Sequence, residues 1–99
     1  MSEPPEDSPL VGRRWLLVGR VQGVGFRYFV TSKAEAFPVN GYVRNLDTGT
    51  VEIEVEGNKE EVSKFLTEIR QGPRHATIGD FQLEWKPYKM SYDHFFVKY

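Results

Sequence analysis

Between residues 51 and 56 the chain reads Val51-Glu52-Ile53-Glu54-Val55-Glu56, apolar and charged in strict alternation. Only an extended strand puts residues two apart on one face, so this run is a β-strand with one buried side and one wet side. Such a strand is not stable alone. It needs partners in a sheet and an apolar layer over its valine face. The three glutamates are read as a solvated row protecting a sheet edge rather than as metal ligands.

The rest of the chain supplies both. Arg14 to Val21 is rich in β-formers and apolar on both faces in its middle, as in a central strand covered on at least one side. Val39 to Asn45 is a further strand, and Leu46-Asp47-Thr48-Gly49 turns the chain into the alternating run. Ala76 to Trp85 alternates again, with Ile78, Phe81, Leu83 and Trp85 on or near one face and a break at Gly79-Asp80. His94 to Tyr99 is a short last strand. Phe26, Phe29, Val30, Ala34 and Phe37 fit one face of a helix that Pro38 ends. Val62, Phe65, Leu66 and Ile69 form the stripe of a second helix. Asn58 is its N-cap, with Glu61 placed as in a capping box, and Gly72-Pro73 stops it. The order βαββαβ predicts an α+β, ferredoxin-like sandwich: an antiparallel sheet, two helices on one face and a short C-terminal strand.

Ninety-nine residues allow one domain with a modest core and no separate cofactor domain. The absence of cysteine excludes a thiol nucleophile, a disulfide framework and a Cys-ligated metal. No apolar run is long enough for a membrane span and Met1 to Pro9 lacks a signal-peptide pattern, so a cytoplasmic protein is expected. The net charge of -1 is an average. Met1 to Pro9 carries Glu3, Glu6 and Asp7 with no basic residue, while the remainder has a net charge of +2. Residues 1–12 are read as a disordered acidic, Pro-rich tail and 13–99 as the folded domain. This balance argues against a polybasic nucleic-acid binder.

Chemistry is concentrated in two segments. In Gly19-Arg20-Val21-Gln22-Gly23-Val24-Gly25-Phe26-Arg27, two glycines between a strand and a helix let successive backbone N–H groups converge on an anion. Arg27 stands in the first helical turn, where an acidic residue is favoured and a cation opposes the helix dipole by about 0.3–1 kcal/mol. An anion site and a surface arginine beside a glycine turn are both open readings. The segment is neither a P-loop nor a dinucleotide fingerprint. In the second segment, Asn45 ends a strand before a turn, either as an Asx-turn residue or as an amide that holds a water. His75 and His94 read as surface or packing residues, Trp15 and Trp85 as packing residues. Arg20, Arg44 and Arg74 either steer an anion or are ordinary surface charges. Gly25 to Val30 echoes part of an RNA-recognition motif, but begins a helix where that motif needs a strand.

Together the two segments resemble the signatures of the acylphosphatase family. Leu17 to Arg27 resembles the first, and Gly41-Tyr42-Val43-Arg44-Asn45 the second, with Gly49, Val51 and Gly57 at the expected offsets. The resemblance covers residues 12–99. It implies the ferredoxin-like fold and a small enzyme, without metal or cofactor, that hydrolyses acyl phosphates to a carboxylate and inorganic phosphate. Arg27 falls where the family binds the phosphoryl group, Asn45 where it orients the attacking water. The backbone of Gln22, Gly23, Val24, Gly25 and Phe26 falls on the phosphate cradle. A monomer is implied, with no nucleic-acid or membrane partner. The alternative is a non-catalytic anion-binding or regulatory module of the same fold. The chain departs from the family in its acidic tail and in Pro38, where many members have glycine.

Overall fold

The structure, a computed structural model, describes residues 9–23, 25–74 and 76–99. Residues 1–8 of the expected tail therefore lie outside the described residues. The elements are β1 (Leu10–Arg20), α1 (Phe26–Ala34), β2 (Val39–Asn45), β3 (Val51–Asn58), α2 (Lys59–Gln71), β4 (Thr77–Lys86) and β5 (Phe95–Val97). The sheet order is β4-β1-β3-β2-β5. The four long strands pair antiparallel, but β5 runs parallel to β2, so the sheet is mixed rather than antiparallel throughout. Among the described residues no helix is long and apolar enough to cross a membrane.

The register builds the core. Trp15 and Val43 lie opposite Ile53, and Leu17 and Asn45 opposite Val51. Val11, Trp15, Leu17, Val43, Val51, Ile53 and Val55 thus share one sheet face, which Phe26, Val30 and Ala34 of α1 and Val62, Phe65, Leu66 and Ile69 of α2 cover. Each fully buried aliphatic or aromatic side chain adds about 1.5–3 kcal/mol to this layer. The cap of α2 forms with Glu60 rather than Glu61: the Asn58 side chain accepts from the Glu60 N–H at 2.9 Å. Gly72, at φ 68°, closes that helix.

Three boundaries move. Strand β1 begins at Leu10, not after residue 12. Leu10 and Val11 pair with Asn58 and Gly57, and Val11 faces the core at 2% exposure. Helix α1 ends at Ala34, because its last turn tightens into i→i-3 bonds from Ala36 to Lys33 and from Phe37 to Ala34. Phe37 still packs edge-on against Phe65, as its spacing requires. The last strand is shorter than expected, Phe95–Val97.

The glutamate row is the larger correction. Strand β3 lies between β1 and β2 and is not an edge, and Glu52 and Glu56 are only 1% and 5% exposed. Arg14 Nε donates to Glu52 Oε2 at 2.6 Å, and Arg44 Nε and the Tyr42 hydroxyl donate to Oε1. Burial alone would raise the Glu52 pKa. The hydrogen bonds from Arg44, Arg14 and Tyr42 outweigh it and hold the carboxyl below its usual value. Glu54 and Glu56 hold a chain crossing. From β4 at one edge the backbone must reach β5 at the other, passing four strand spacings or about 19 Å. The eight residues between them span at most about 28 Å. They pass beneath the sheet, where Lys89 N–H and Ser91 N–H donate to the two oxygens of Glu56 at 2.9 and 2.8 Å. The Tyr92 hydroxyl donates to Glu54 at 2.6 Å. Alternation identifies the face but not what covers it, and the crossing segment has no periodicity to announce itself.

Replacing Glu52 leaves two guanidinia without their shared acceptor. Glu52→Gln is expected to lower stability by about 1–3 kcal/mol at pH 7, measured by urea unfolding. Because the folded-state pKa of Glu52 is lowered, its contribution is complete above the usual 4.5 and lost as pH falls through the lower folded value. The gap between wild type and variant should therefore narrow below about pH 4.5; a gap that stays constant into strong acid would show that the charge is not what stabilises.

Candidate active site

Strand β1 shifts register against β4 between Val18 and Gly19 and stays paired through Arg20, opposite Thr77, before it leaves the sheet. Val21, fully buried, anchors the chain again before the turn. Gly23 and Gly25 then adopt left-handed φ values of 76° and 77°, where a side chain is strained. A Cβ at either position would meet nothing within 4 Å, so glycine is needed there for its backbone and not for room. Gly25 caps α1 with no side-chain hydrogen bond, and the first turn holds no acidic residue. In α2 the cap is Asn58, and Glu60 and Glu61 occupy the first turn. The N-terminus of α1 thus keeps its donors and its dipole free for another anion.

Two contacts fix this turn. Phe26 is buried at 2% exposure and pins the start of the helix. Gln22 Nε2 donates to the carbonyls of Leu46 and Thr50 at 2.9 and 3.1 Å, tying the turn to the hairpin that follows Asn45. Of the expected cradle residues, Gly23, Gly25 and Phe26 line an open cleft of about 300 Å³. The Gln22 side chain is spent on the hairpin, and Val24 lies outside the described residues.

Arg27 and Asn45, far apart in the chain, line the same cleft. Arg27 is half-buried and, among the described residues, makes no ion pair; its guanidinium carbon lies 5.3 Å from the centre of the Tyr99 ring. Arg44 is the contrast. It sits on the opposite sheet face bound to Glu52, so it adds no free charge at the cleft. Asn45 ends β2, and its Oδ1 is buried without a hydrogen-bond partner among the described residues. A buried acceptor left unpaired costs about 1–3 kcal/mol, a cost that a bound water or ligand would remove.

The second wall is the C-terminal segment. Val97 pairs with Val43 of β2, and Lys98 N–H donates to the Val43 carbonyl at 2.9 Å, bringing Val97 and Tyr99 into the cleft lining beside Asn45. Sequence reasoning missed these two residues, together with Tyr28, Thr31 and the Gln22 tie. Val97 and Tyr99 reach the cleft through the parallel pairing of β5 with β2, which no local pattern specifies. His94 is exposed, with Nδ1 2.6 Å from Asp93, and His75 lies outside the described residues. Among the described residues no cluster of three or more histidine, aspartate or glutamate side chains could hold a metal ion.

Comparison with known proteins agrees with this geometry. The family model described as acylphosphatase matches residues 13–97. An acylphosphatase of Bacillus pumilus is 45% identical over 83 residues, covering 84% of this chain and 92% of that protein. An acylphosphatase of Petrotoga mobilis is 42% identical over 90 residues, covering 91% of this chain and all of that protein. The crystal structure of acylphosphatase from Bacillus subtilis superposes with a TM-score of 0.85 at 32% identity, over 90% of this chain and 99% of that one. With a two-glycine turn, Arg27 and Asn45 sharing one cleft, and with relatives matched over nearly their whole length, the chain belongs to the acylphosphatase family.

Proposed function

We propose that this chain cleaves the carboxyl–phosphate bond of acyl phosphates by direct attack of a water held on Asn45. The observation that carries the reading is the buried, unpartnered Oδ1 of Asn45 in the cleft that Arg27 and the glycine turn also line. The free N–H groups of the turn and the Arg27 fork would take the phosphoryl oxygens and stabilise their charge. Asn45 Oδ1 would accept a hydrogen bond from the water, aiming a lone pair at phosphorus.

The chemistry asks little more. Water oxygen bonds to phosphorus as the bridging P–O bond breaks, and that electron pair leaves on the carboxylate. A carboxylate is a good leaving group, so neither a strong acid nor a covalent nucleophile is required. Among the described residues no carboxylate or imidazole side chain lines the cleft, and the reading sends the water proton to a phosphoryl oxygen of the substrate. Every group used comes from one chain, so a monomer acting on a small anion in the cytoplasm suffices.

Three outcomes follow for release of phosphate from benzoyl phosphate. Arg27→Ala should nearly abolish turnover, and Arg27→Lys should be crippled because a point charge does not replace the fork; normal turnover in a folded Arg27→Lys variant would sink the assignment. Asn45→Ala should lower kcat by about 100-fold or more while competitive inhibition by inorganic phosphate persists. Lost phosphate inhibition with kcat intact would give Asn45 a different role. Dialysis against a chelator should leave the rate unchanged, since Arg27 supplies the charge; a rate that falls and returns with added metal would refute this. Phosphate binding by the wild type without any turnover would favour the non-catalytic module.

A further inference from the structure

The ladder between β1 and β3 ends at Leu17, opposite Val51, and the ladder between β2 and β3 ends at Asn45, also opposite Val51. Past Leu17, β1 continues against β4 alone, through Arg20. On the side toward Asn45 the sheet therefore stops short of the glycine turn. A side chain takes over there. Gln22 Nε2 donates to the Leu46 carbonyl at 2.9 Å and to the Thr50 carbonyl at 3.1 Å. The same two carbonyls close the hairpin: Thr50 O accepts from Leu46 N–H at 2.8 Å, and Leu46 O from Gly49 N–H at 3.0 Å. A carbonyl oxygen has two lone pairs, so one amide grips both arms of the hairpin without displacing its own bonds. Leu46 directly follows Asn45, and Gln22 directly precedes Gly23. The glycines bring no hold of their own, since open space surrounds the points where their Cβ atoms would stand.

We infer that Gln22 is a positioning residue for the hydrolysis: its amide fixes the separation between the phosphoryl cradle and the water on Asn45. The inference rests on the functional reading for what the cradle and Asn45 hold. The two halves of the site come from opposite sides of β3, the turn from the end of β1 and Asn45 from β2. Holding an anion needs only the turn and Arg27. In-line attack needs in addition a water about 3–3.5 Å from phosphorus, and that distance is set by how the two halves are spaced. A displacement of about 1 Å costs about 100-fold in rate while each half keeps its own donors and acceptors. Loss of the tie therefore falls on kcat and spares the affinity for phosphate.

The test uses Gln22→Met, which keeps the length of the side chain and removes its donors. Gln22→Asn, one methylene short, serves as a second variant in case the first does not fold. With benzoyl phosphate, kcat should fall by about 10- to 100-fold, while the inhibition constant of inorganic phosphate stays within about 2-fold of wild type. In an Asn45→Ala background the same change should cost about 3-fold or less, because the water it positions is already lost. Unchanged kcat in a folded variant, phosphate inhibition weakened as much as kcat, or full additivity with Asn45→Ala overturns the inference. A readout without turnover separates it from the hydrolytic reading. In NMR spectra of wild type, inorganic phosphate should shift the Asn45 side-chain amide together with the main-chain amides of Gly23 and Gly25. In Gln22→Met the glycine signals should still respond and the Asn45 response should fall by at least about half. An Asn45 response absent from wild type, or undiminished in the variants, overturns the inference. The expected NMR pattern in a protein that hydrolyses no acyl phosphate would overturn the hydrolytic reading and leave the positioning by Gln22 standing.

Discussion

The fold depends on what happens beneath its central strand. A chain that leaves the sheet at β4 and must add its last strand at the opposite edge has to pass under β1, β3 and β2. An extended segment there has few neighbours of its own, and its backbone donors need acceptors. Strand β3 provides them at the middle of the crossing, where Glu56 takes two N–H groups and Glu54 takes the Tyr92 hydroxyl. Glu52 then binds Arg14 and Arg44 across the three interior strands. The cleft gains its second wall because this crossing is held. Carboxylates on the face away from the helices thus decide whether Val97 and Tyr99 stand beside Asn45.

The two helices divide the work. Helix α2 is satisfied at both ends and contributes four buried side chains to the core. Helix α1 is left incomplete at its N-terminus, without a side-chain cap or a first-turn acid. With glycine as the N-cap this end gives up only about a few tenths of a kcal/mol against a side-chain cap, and the basic Arg27 adds an unfavourable contribution of its own. Phe26 in the core and the Gln22 tie keep that end in place. The incompleteness is what makes the end receptive to an anion.

What the sequence revealed divides along the same physical line. Strand β2, the stripe of α2 and the turn after Asn45 rest on neighbours within a few residues, and periodicity reads them directly. The glycine turn with Arg27 was visible because it breaks local rules. Asn45 was visible only through a family signature, since an asparagine before a turn has an ordinary explanation. The position of β3 in the sheet, the burial of Glu52 and the pairing of β5 with β2 depend on contacts between distant segments, and no local pattern carries them. Leu10 and Val11 were misassigned for a related reason: two residues beside an acidic, Pro-rich stretch are too few to show an alternation.

The turn at Gly23 and Gly25 presents main-chain groups rather than side chains. Substitution elsewhere in the chain rewrites side chains but leaves every peptide N–H in being, so a cradle made of backbone is largely insulated from mutational drift. The C-terminal wall, with Val97 and Tyr99, has no such protection. Within one small cleft, the wall made of main chain is therefore held constant while the wall made of side chains is free to diverge.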